Sequence, residues 1–122
     1  YQAFKHVADD SSRLSFDGKI IVDPHAQKIE AYQKNNNILL NEKAHIESDP
    51  QLEIYADDVR CSHGSTIGQL DADALFYMQS RGINYMTACG ILIRSFADEP
   101  LSMIKEEWLR EQIEDIIASM LK

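Results

Sequence analysis

The chain has 122 residues, which is about the length of one ordinary domain. Hydrophobic residues make up 44% of it and charged residues 26%, a composition that predicts a folded chain with a core. The 20 acidic side chains outnumber the 12 basic ones, and the formal net charge is −8. Such a surface repels phosphate backbones and anionic lipid headgroups. We therefore expect no nucleic acid and no membrane surface among the partners.

The cysteine count and the N-terminus suggest where the chain works. No stretch approaches the roughly 18 apolar residues that span a bilayer, and no signal peptide is visible. Two cysteines, Cys61 and Cys89, are too few for a disulfide framework. These features predict a soluble protein of the reducing cytoplasm. Because the first residue is Tyr1 and not Met, we expect an excised piece of a longer protein.

Residues 1–70 contain short apolar runs rich in β-branched side chains, with turn-forming residues between them. The predicted strands are residues 14–16, 19–22, 29–32, 37–40, 45–47, 52–55 and 59–61. The predicted turns are residues 17–18, 23–24, 35–37, 49–50 and 57–58. This pattern predicts a mostly β region.

A weak internal repeat connects these strands. Residues 28–31 recur as residues 45–48, and residues 20–22 recur as residues 38–40, at intervals of 17 and 18 residues. Short strands at a fixed interval, with no helices between them, fit either an antiparallel sandwich or a β-solenoid. The pattern leaves both architectures open.

After Asp71 the apolar spacing changes to about 3.6 residues, which is typical of helices. Asp71 is the predicted N-cap of a helix over residues 72–81, and Gly82 is its predicted end. A second helix is predicted from Asn84 through Phe96, and a third from Pro100. The apolar stripe of the third helix comprises Leu101, Ile104, Trp108, Ile113, Ile116, Ile117, Met120 and Leu121. The four methionines, Met78, Met86, Met103 and Met120, are predicted core residues.

Cys61 and His63 are the residues most suited to chemistry. They are two apart on a predicted strand and therefore point to the same face. A thiolate beside an imidazole suits either an activated nucleophile or a soft metal ion. A zinc site needs three or four protein ligands, and further donors such as His45 are distant in sequence. The spacing therefore leaves a plain structural role open as well.

Several runs of residues resemble one known family. They are NNILL at 36–40, PQLEIYADDVRCSHG at 50–64, IGQLD at 67–71, LFY at 75–77 and SRGI at 80–83. In this order they are similar to the C-terminal part of the SufB/SufD family, the scaffold proteins of the SUF system of iron-sulfur cluster assembly. The run Ser62-His63-Gly64 is more similar to SufD-type than to SufB-type members.

The resemblance implies a fold that is mostly β with C-terminal α. A right-handed parallel β-helix would contribute its terminal rungs, or turns, over residues 1–70, and a short helical segment over residues 71–122 would dock an ATPase. It also implies a non-enzymatic scaffold that pairs with a SufB-type subunit and binds a SufC-type ATPase. An iron-sulfur cluster would be held transiently at the subunit interface, with no cofactor bound tightly by this piece alone.

The resemblance assigns roles to individual residues. His63 and Cys61 fall on motif positions and would be ligands of the nascent cluster or its iron, shared with the partner subunit. In the helical segment, the predicted partner-binding residues are Tyr77, Arg81, Gly82 and Ile83. ATP hydrolysis would belong to the partner, because the chain has no Gly-x-x-x-x-Gly-Lys-Ser/Thr loop.

Two alternatives accompany this interpretation. One is a thiol enzyme that uses a Cys61–His63 pair, and the other is a purely structural β-solenoid that serves as an interaction module. A solenoid cut across its rungs also exposes an unpaired strand edge, which favours self-association into a homodimer.

Overall fold

A computed structural model describes residues 1–120, so Leu121, predicted as part of the last apolar stripe, lies outside the described residues. The chain divides into two compact units, Tyr1–Gln69 and Leu70–Lys122. The first unit consists of strands and the second of helices. A mostly β fold with C-terminal helices is therefore confirmed.

All strands of the first unit pair in parallel. The five strands are β1 (Gln2–Ala8), β2 (Arg13–Val22), β3 (Glu30–Leu39), β4 (His45–Ile54) and β5 (Arg60–Gly68). One sheet has the order β1-β3-β5 and the other pairs β2 with β4. Successive strands thus alternate between two sheets, and the parallel pairing overturns the antiparallel sandwich that the sequence left open.

The register shows the true repeat of the strand unit. Gln2 pairs with Gln33 across β1 and β3, and Glu30 pairs with Arg60 across β3 and β5. In the second sheet Arg13 pairs with His45. Paired residues are therefore 30 to 32 positions apart, whereas the repeat of 17 to 18 residues relates strands that lie in different sheets.

The two sheets face each other across a small core. Alternate residues of a strand point to opposite faces, and those of the facing surfaces meet in the middle. The rings of Phe4 and Phe16 lie 4.8 Å apart between centroids. At the C-terminal end of β1, Ala8 packs with Ala44, just before β4, and with Ile46, at the start of β4, in the buried apolar cluster. Because these side chains are few and mostly small, much of the interior is left to polar residues.

Three of the predicted turns are wrong because their residues lie inside long strands. Residues 17–18, 35–37 and 49–50 belong to β2, β3 and β4. Gly18 is needed in β2 for space, since a Cβ there would lie 2.6 Å from the Phe16 ring. Pro50 pairs with Gly18. It is tolerated because β4 has only one neighbouring strand within residues 1–120, so its missing N–H costs little.

The remaining turn predictions are confirmed, while one strand was missed. Residues 23–24 and 57–58 lie between strands. The corner at Asp58 stacks on the preceding one, because the backbone N–H of Lys28 donates to the Asp58 carbonyl and the Gln27 side chain accepts from the Asp58 N–H at 2.9 Å. Strand β1 was not predicted, since its sequence lacks strict alternation.

The helical unit contains α1 (Ala72–Ser80), α2 (Tyr85–Leu101) and α3 (Glu107–Met120). The predicted cap at Asp71 is confirmed, and Asn84, predicted only as the start of the second helix, is also a cap. The Asp71 carboxylate accepts from two backbone N–H groups of the first turn of α1, and Asn84 caps α2 by accepting from the N–H of Thr87. Gly82 has a φ of +86°, and its N–H donates to the Gln79 carbonyl. This left-handed residue ends α1 in a Schellman motif.

The predicted start of the third helix is wrong. Pro100 lies in the last turn of α2, and α3 begins only at Glu107. Proline has no N–H and therefore cannot bond the carbonyl four residues earlier. The helix stops one residue later, at Leu101, and residues 102–106 separate it from α3. Leu101 and Ile104 consequently do not belong to α3.

The helices bury little apolar surface. Within residues 70–120 the buried apolar residues are Ala88, Ile93 and Leu101. Met86, Met103 and Met120 are exposed, so their predicted place in a core is wrong, and Met78 is half-buried. The helices described over residues 1–120 include none with both the length and the apolar content needed to cross a membrane.

Candidate functional site

Cys61 and His63 lie on an edge strand. Strand β5 is last in the sheet order β1-β3-β5, so within residues 1–120 it has one neighbour, β3. Cys61 pairs with Ala31 and His63 pairs with Gln33. The alternation of side chains along β5 places Cys61 and His63 on one face, as the sequence predicts.

This face of β5 points toward the second sheet but is only partly covered by it. Ser65, two residues after His63 and on the same face, donates to the Ser48 hydroxyl of β4 at 2.7 Å. In the described part of the chain β4 is the last strand of its sheet, so the farther part of the face is open. Cys61 is therefore half-buried and His63 is exposed.

The described chain supplies two potential metal ligands at this edge. Within residues 1–120 no group of three or more histidine, cysteine or carboxylate side chains is arranged to hold a metal ion. The side chain of His45 lies 3.3 Å from the Glu47 carboxylate on β4 and does not join Cys61 and His63. A metal or cluster bound here would need ligands from outside residues 1–120.

A ladder of buried amides lies beside the Cys61–His63 face. Gln33, Asn35 and Asn37 on β3 are 4%, 0% and 2% exposed. Asn35 Oδ1 accepts from Asn37 Nδ2 at 2.6 Å and from the Ser48 hydroxyl at 2.6 Å. The His6 Nδ1 atom lies 2.8 Å from Asn37 Oδ1 and so joins β1 to the same network. We call Gln33, Asn35 and Asn37 the amide ladder.

The amide ladder was not predicted, because the run of asparagines at residues 35–37 is typical of a corner. Asparagine favours turns because its side chain bonds nearby backbone groups. Here the amides instead bond to side chains of the neighbouring strands. The available clue was the period of two in Gln33, Asn35 and Asn37, which is the period of a strand face.

Strand β5 completes the ladder on its own side. Asn37 Nδ2 donates to the Thr66 carbonyl at 3.0 Å, and Asn36 Nδ2 donates to the Thr66 hydroxyl at 2.8 Å. The register of β5, and therefore the position of His63, is thus fixed by specific side-chain contacts in addition to the backbone ladder.

Cys61 and His63 lack the contact that a thiol enzyme uses. In such enzymes a base takes the thiol proton through a hydrogen bond. Within residues 1–120 the side chains of Cys61 and His63 form no hydrogen bond with each other, and both cysteines are free. The second cysteine, Cys89, lies in α2 and is hydrogen-bonded to Tyr85, a bond that raises the pKa of Tyr85.

The residues predicted to bind a partner are Tyr77, Arg81, Gly82 and Ile83, and they gather at the C-terminal end of α1. The Arg81 guanidinium lies 5.2 Å from the centre of the Tyr77 ring, within cation–π range. Both side chains are exposed. The Ile83 N–H donates to the Met78 carbonyl at 3.1 Å and fixes the turn after Gly82.

A cavity of about 490 Å³ lies between α2 and α3. Its lining mixes apolar side chains such as Ile91 and Ile117 with the ion pair of Arg94 and Glu114, whose N···O distance is 3.1 Å. Arg110 adds a second cation 3.7 Å from the same carboxylate. The cavity lies entirely within the helical unit.

Comparison with known proteins identifies the family. Residues 1–96 match the family described as SUF system FeS cluster assembly, SufBD core domain. The chain is 43% identical over 112 residues to the iron-sulfur cluster assembly protein SufD of Escherichia coli, covering 92% of this chain and 26% of that protein. The chain therefore belongs to the SufBD family of the SUF system, a class of iron-sulfur cluster assembly proteins.

Other relatives agree. An iron-sulfur cluster assembly SufBD family protein of Synechocystis is 46% identical over 103 residues, which cover 84% of this chain and 23% of the relative. The chloroplastic protein ABCI7 of Arabidopsis thaliana is 39% identical over 115 residues, covering 94% of this chain and 24% of the relative. The chain thus spans about a quarter of the length of these relatives.

Proposed function

We propose that the chain forms the terminal rungs of a right-handed parallel β-helix in a scaffold subunit of the SUF system, followed by a helical docking segment. The alternation of parallel strands between two facing sheets, with partners 30 to 32 residues apart, supports this architecture. The family itself is named for cluster assembly, and the role proposed for the chain is non-enzymatic.

The proposed task of the strand unit is to hold a nascent iron-sulfur cluster, or its iron, at the interface with a SufB-type subunit. The observation that carries this proposal is the position of Cys61 and His63 on the open face of edge strand β5. Thiolate and imidazole are ligands that iron accepts. The partner subunit would complete the ligand set, and the cluster would leave as cargo.

The proposed task of the helical segment is to bind a SufC-type ATPase. Tyr77, Arg81, Gly82 and Ile83 form the proposed contact, since Tyr77 and Arg81 are exposed and ordered by their mutual cation–π contact. Tyrosine and arginine are the side chains that most often dominate binding energies at protein interfaces. We place the assembly in the reducing cytoplasm, in keeping with the two free cysteines.

The decisive experiment replaces His63 in the full-length protein. His63→Ala should reduce cluster formation on the assembled complex, measured by the visible absorption of the cluster and by bound iron. His45→Ala is the matched control, because it removes another exposed histidine from the strand unit and should leave cluster formation unchanged. Normal cluster formation with His63→Ala would favour the purely structural module.

A second experiment tests the ATPase contact. The double variant Tyr77→Ala/Arg81→Ala in the full-length protein should weaken capture of the cognate ATPase in a pull-down. Tyr55→Ala is the control, since Tyr55 is equally exposed but lies in the strand unit. Unchanged capture by the double variant would show that the ATPase binds elsewhere.

A further inference from the structure

Gln33 has a buried side-chain oxygen without a partner. Its residue is 4% exposed, and within residues 1–120 its Oε1 atom accepts no hydrogen bond. The neighbouring Asn35 and Asn37 oxygens in the amide ladder both have partners. Leaving a buried acceptor unpaired costs about 1–3 kcal/mol, so such an atom needs an explanation.

The orientation of the Gln33 amide indicates where a donor would come from. Its Nε2 atom donates to Gln2 Oε1 on β1 at 3.0 Å. The same nitrogen is next to β2, since a Cβ on Gly18 would lie 2.9 Å from it. Strands β1 and β2 therefore adjoin the nitrogen of the amide. The oxygen diverges from the nitrogen by about 120°, as at any planar sp² amide carbon, and is turned away from that contact.

His63 lies on β5, which borders β3 on the side opposite β1. It pairs with Gln33 across β3 and β5 and lies on the same face, so Gln2, Gln33 and His63 form one row across the sheet. Adjacent parallel strands are about 4.8 Å apart. Both side chains are long enough to bridge that distance, and the ring of His63 makes no hydrogen bond within residues 1–120.

We propose that Gln33 is a positioning residue for His63: its Oε1 accepts the N–H of one ring nitrogen and leaves the lone pair of the other nitrogen directed outward from β5. Histidines that ligate metals almost always donate their second ring N–H to an oxygen, which fixes the tautomer and the ring orientation. The row Gln2–Gln33–His63 would supply this support from inside the sheet.

This inference rests on the proposed function only for its purpose, because the Gln33–His63 hydrogen bond can be tested without iron. The probe is the tautomer ratio of the neutral imidazole in the 122-residue chain, labelled with ¹⁵N-histidine and measured by NMR at about pH 8, above the ordinary histidine pKa. The chain has four histidines. The His63 signals are assigned by their loss in His63→Gln, and exposed His25 is the internal reference.

Gln33→Met removes the acceptor at nearly constant volume. It should shift the His63 tautomer ratio by about fivefold toward the His25 value, the size of one net hydrogen bond. Gln33→Glu keeps an acceptor oxygen and should retain the wild-type ratio. Gln2→Met is the matched control. It breaks the same Gln2–Gln33 hydrogen bond but spares Gln33 Oε1, so it should change the ratio by less than about twofold.

A wild-type ratio equal to that of His25, or a ratio unaffected by Gln33→Met, would overturn the inference. Should Gln33→Met fail to fold, Gln33→Glu still decides, because release of His63 in that variant would contradict the proposal. Cluster formation with His63→Ala separates the two proposals. If it stays normal while the tautomer depends on Gln33, the ligand role fails and the positioning contact stands. If it is lost while the tautomer ignores Gln33, only the positioning contact fails.

Discussion

Both units bury some apolar side chains, but among residues 1–120 the buried polar side chains all lie in the strand unit. The most buried residues of β3 are the amides Gln33, Asn35 and Asn37. In the helical unit, Phe76, Trp108 and Met120 are 75%, 61% and 79% exposed. The strand unit thus encloses polar groups. Both units expose large apolar side chains, and the helical unit exposes more of them.

The two units therefore reach a unique structure in different ways. Buried amides stabilise a structure only when every partner is in place, so the amide ladder selects a single strand register. Exposed apolar surface contributes nothing to the isolated unit and instead suits contact with another molecule. The strand unit is specified by its buried hydrogen bonds, while the helices are bounded by their caps and leave large apolar side chains exposed.

The strongest test of this contrast removes the centre of the amide ladder. Asn35→Ala leaves Asn37 and Ser48 without their shared acceptor inside the sheets. We expect a loss of about 3 kcal/mol in the free energy of unfolding of the strand unit, or roughly 15 °C in Tm. Asn36→Ala is the control, because its bond to Thr66 is exposed and should contribute less than about 1 kcal/mol. Equal losses in the two variants would show that the buried position is not special.

A second test concerns close packing between the sheets. Gly18→Ala places a methyl group 2.6 and 2.8 Å from two atoms of the Phe16 ring. We expect a destabilisation of about 2 kcal/mol from overpacking, measured by denaturant unfolding. Phe16→Leu should rescue part of it in a double-mutant cycle. Gly68→Ala, where a methyl group meets nothing within 4 Å, should change stability by less than about 0.5 kcal/mol. A similar loss of stability in Gly18→Ala and Gly68→Ala would mean that the cost comes from the backbone and not from contact with the Phe16 ring.

How much the sequence can predict depends on how local the determining interactions are. The ends of α1 follow from Asp71 and Gly82, which act on backbone groups within a few residues, and both were predicted. Pro100 obeys a local rule that permits either the first turn of a helix or a break near its end. The choice between those places depends on packing, and the prediction failed there.

The strand unit shows the same limit. The shared face of Cys61 and His63 follows from the two-residue period of a strand and was predicted. The pairing of His63 with Gln33 joins residues 30 positions apart, and no local pattern specifies that register. The turn preference of Asn35 was outweighed by its burial among hydrogen-bonding partners, which only the assembled sheets provide.

A third test addresses the helical unit through its cap. Asp71→Ala removes the acceptor of the N–H groups of Asp73 and Ala74 at 2.9 and 3.1 Å. We expect a loss of about 1 kcal/mol, seen as faster hydrogen exchange at the start of α1. Asp73→Ala removes only a charge of the first turn and should lower the stability by a few tenths of a kcal/mol. Unchanged exchange at the start of α1 in Asp71→Ala would contradict the stabilising role of this cap.

The smallest expected effect lies on the outer surface of the second sheet. The Lys19 ammonium donates to Glu53 at 2.7 Å, and this hydrogen bond, with the attraction of the Glu53 charge, raises the pKa of Lys19. A raised pKa in the folded state means that the contribution is present below the ordinary lysine pKa and is lost as the pH rises through the raised value.

Glu53→Gln should therefore lower the pKa of Lys19, followed by NMR titration of its side chain. The stability difference from wild type should be small and should vanish at high pH and in about 1 M salt. Glu47→Gln neutralises another exposed carboxylate of β4 and should leave the Lys19 titration unchanged. If Glu53→Gln lost as much unfolding free energy as Asn35→Ala, and the loss persisted in about 1 M salt, the outer surface would stabilise the strands as much as the amide ladder does.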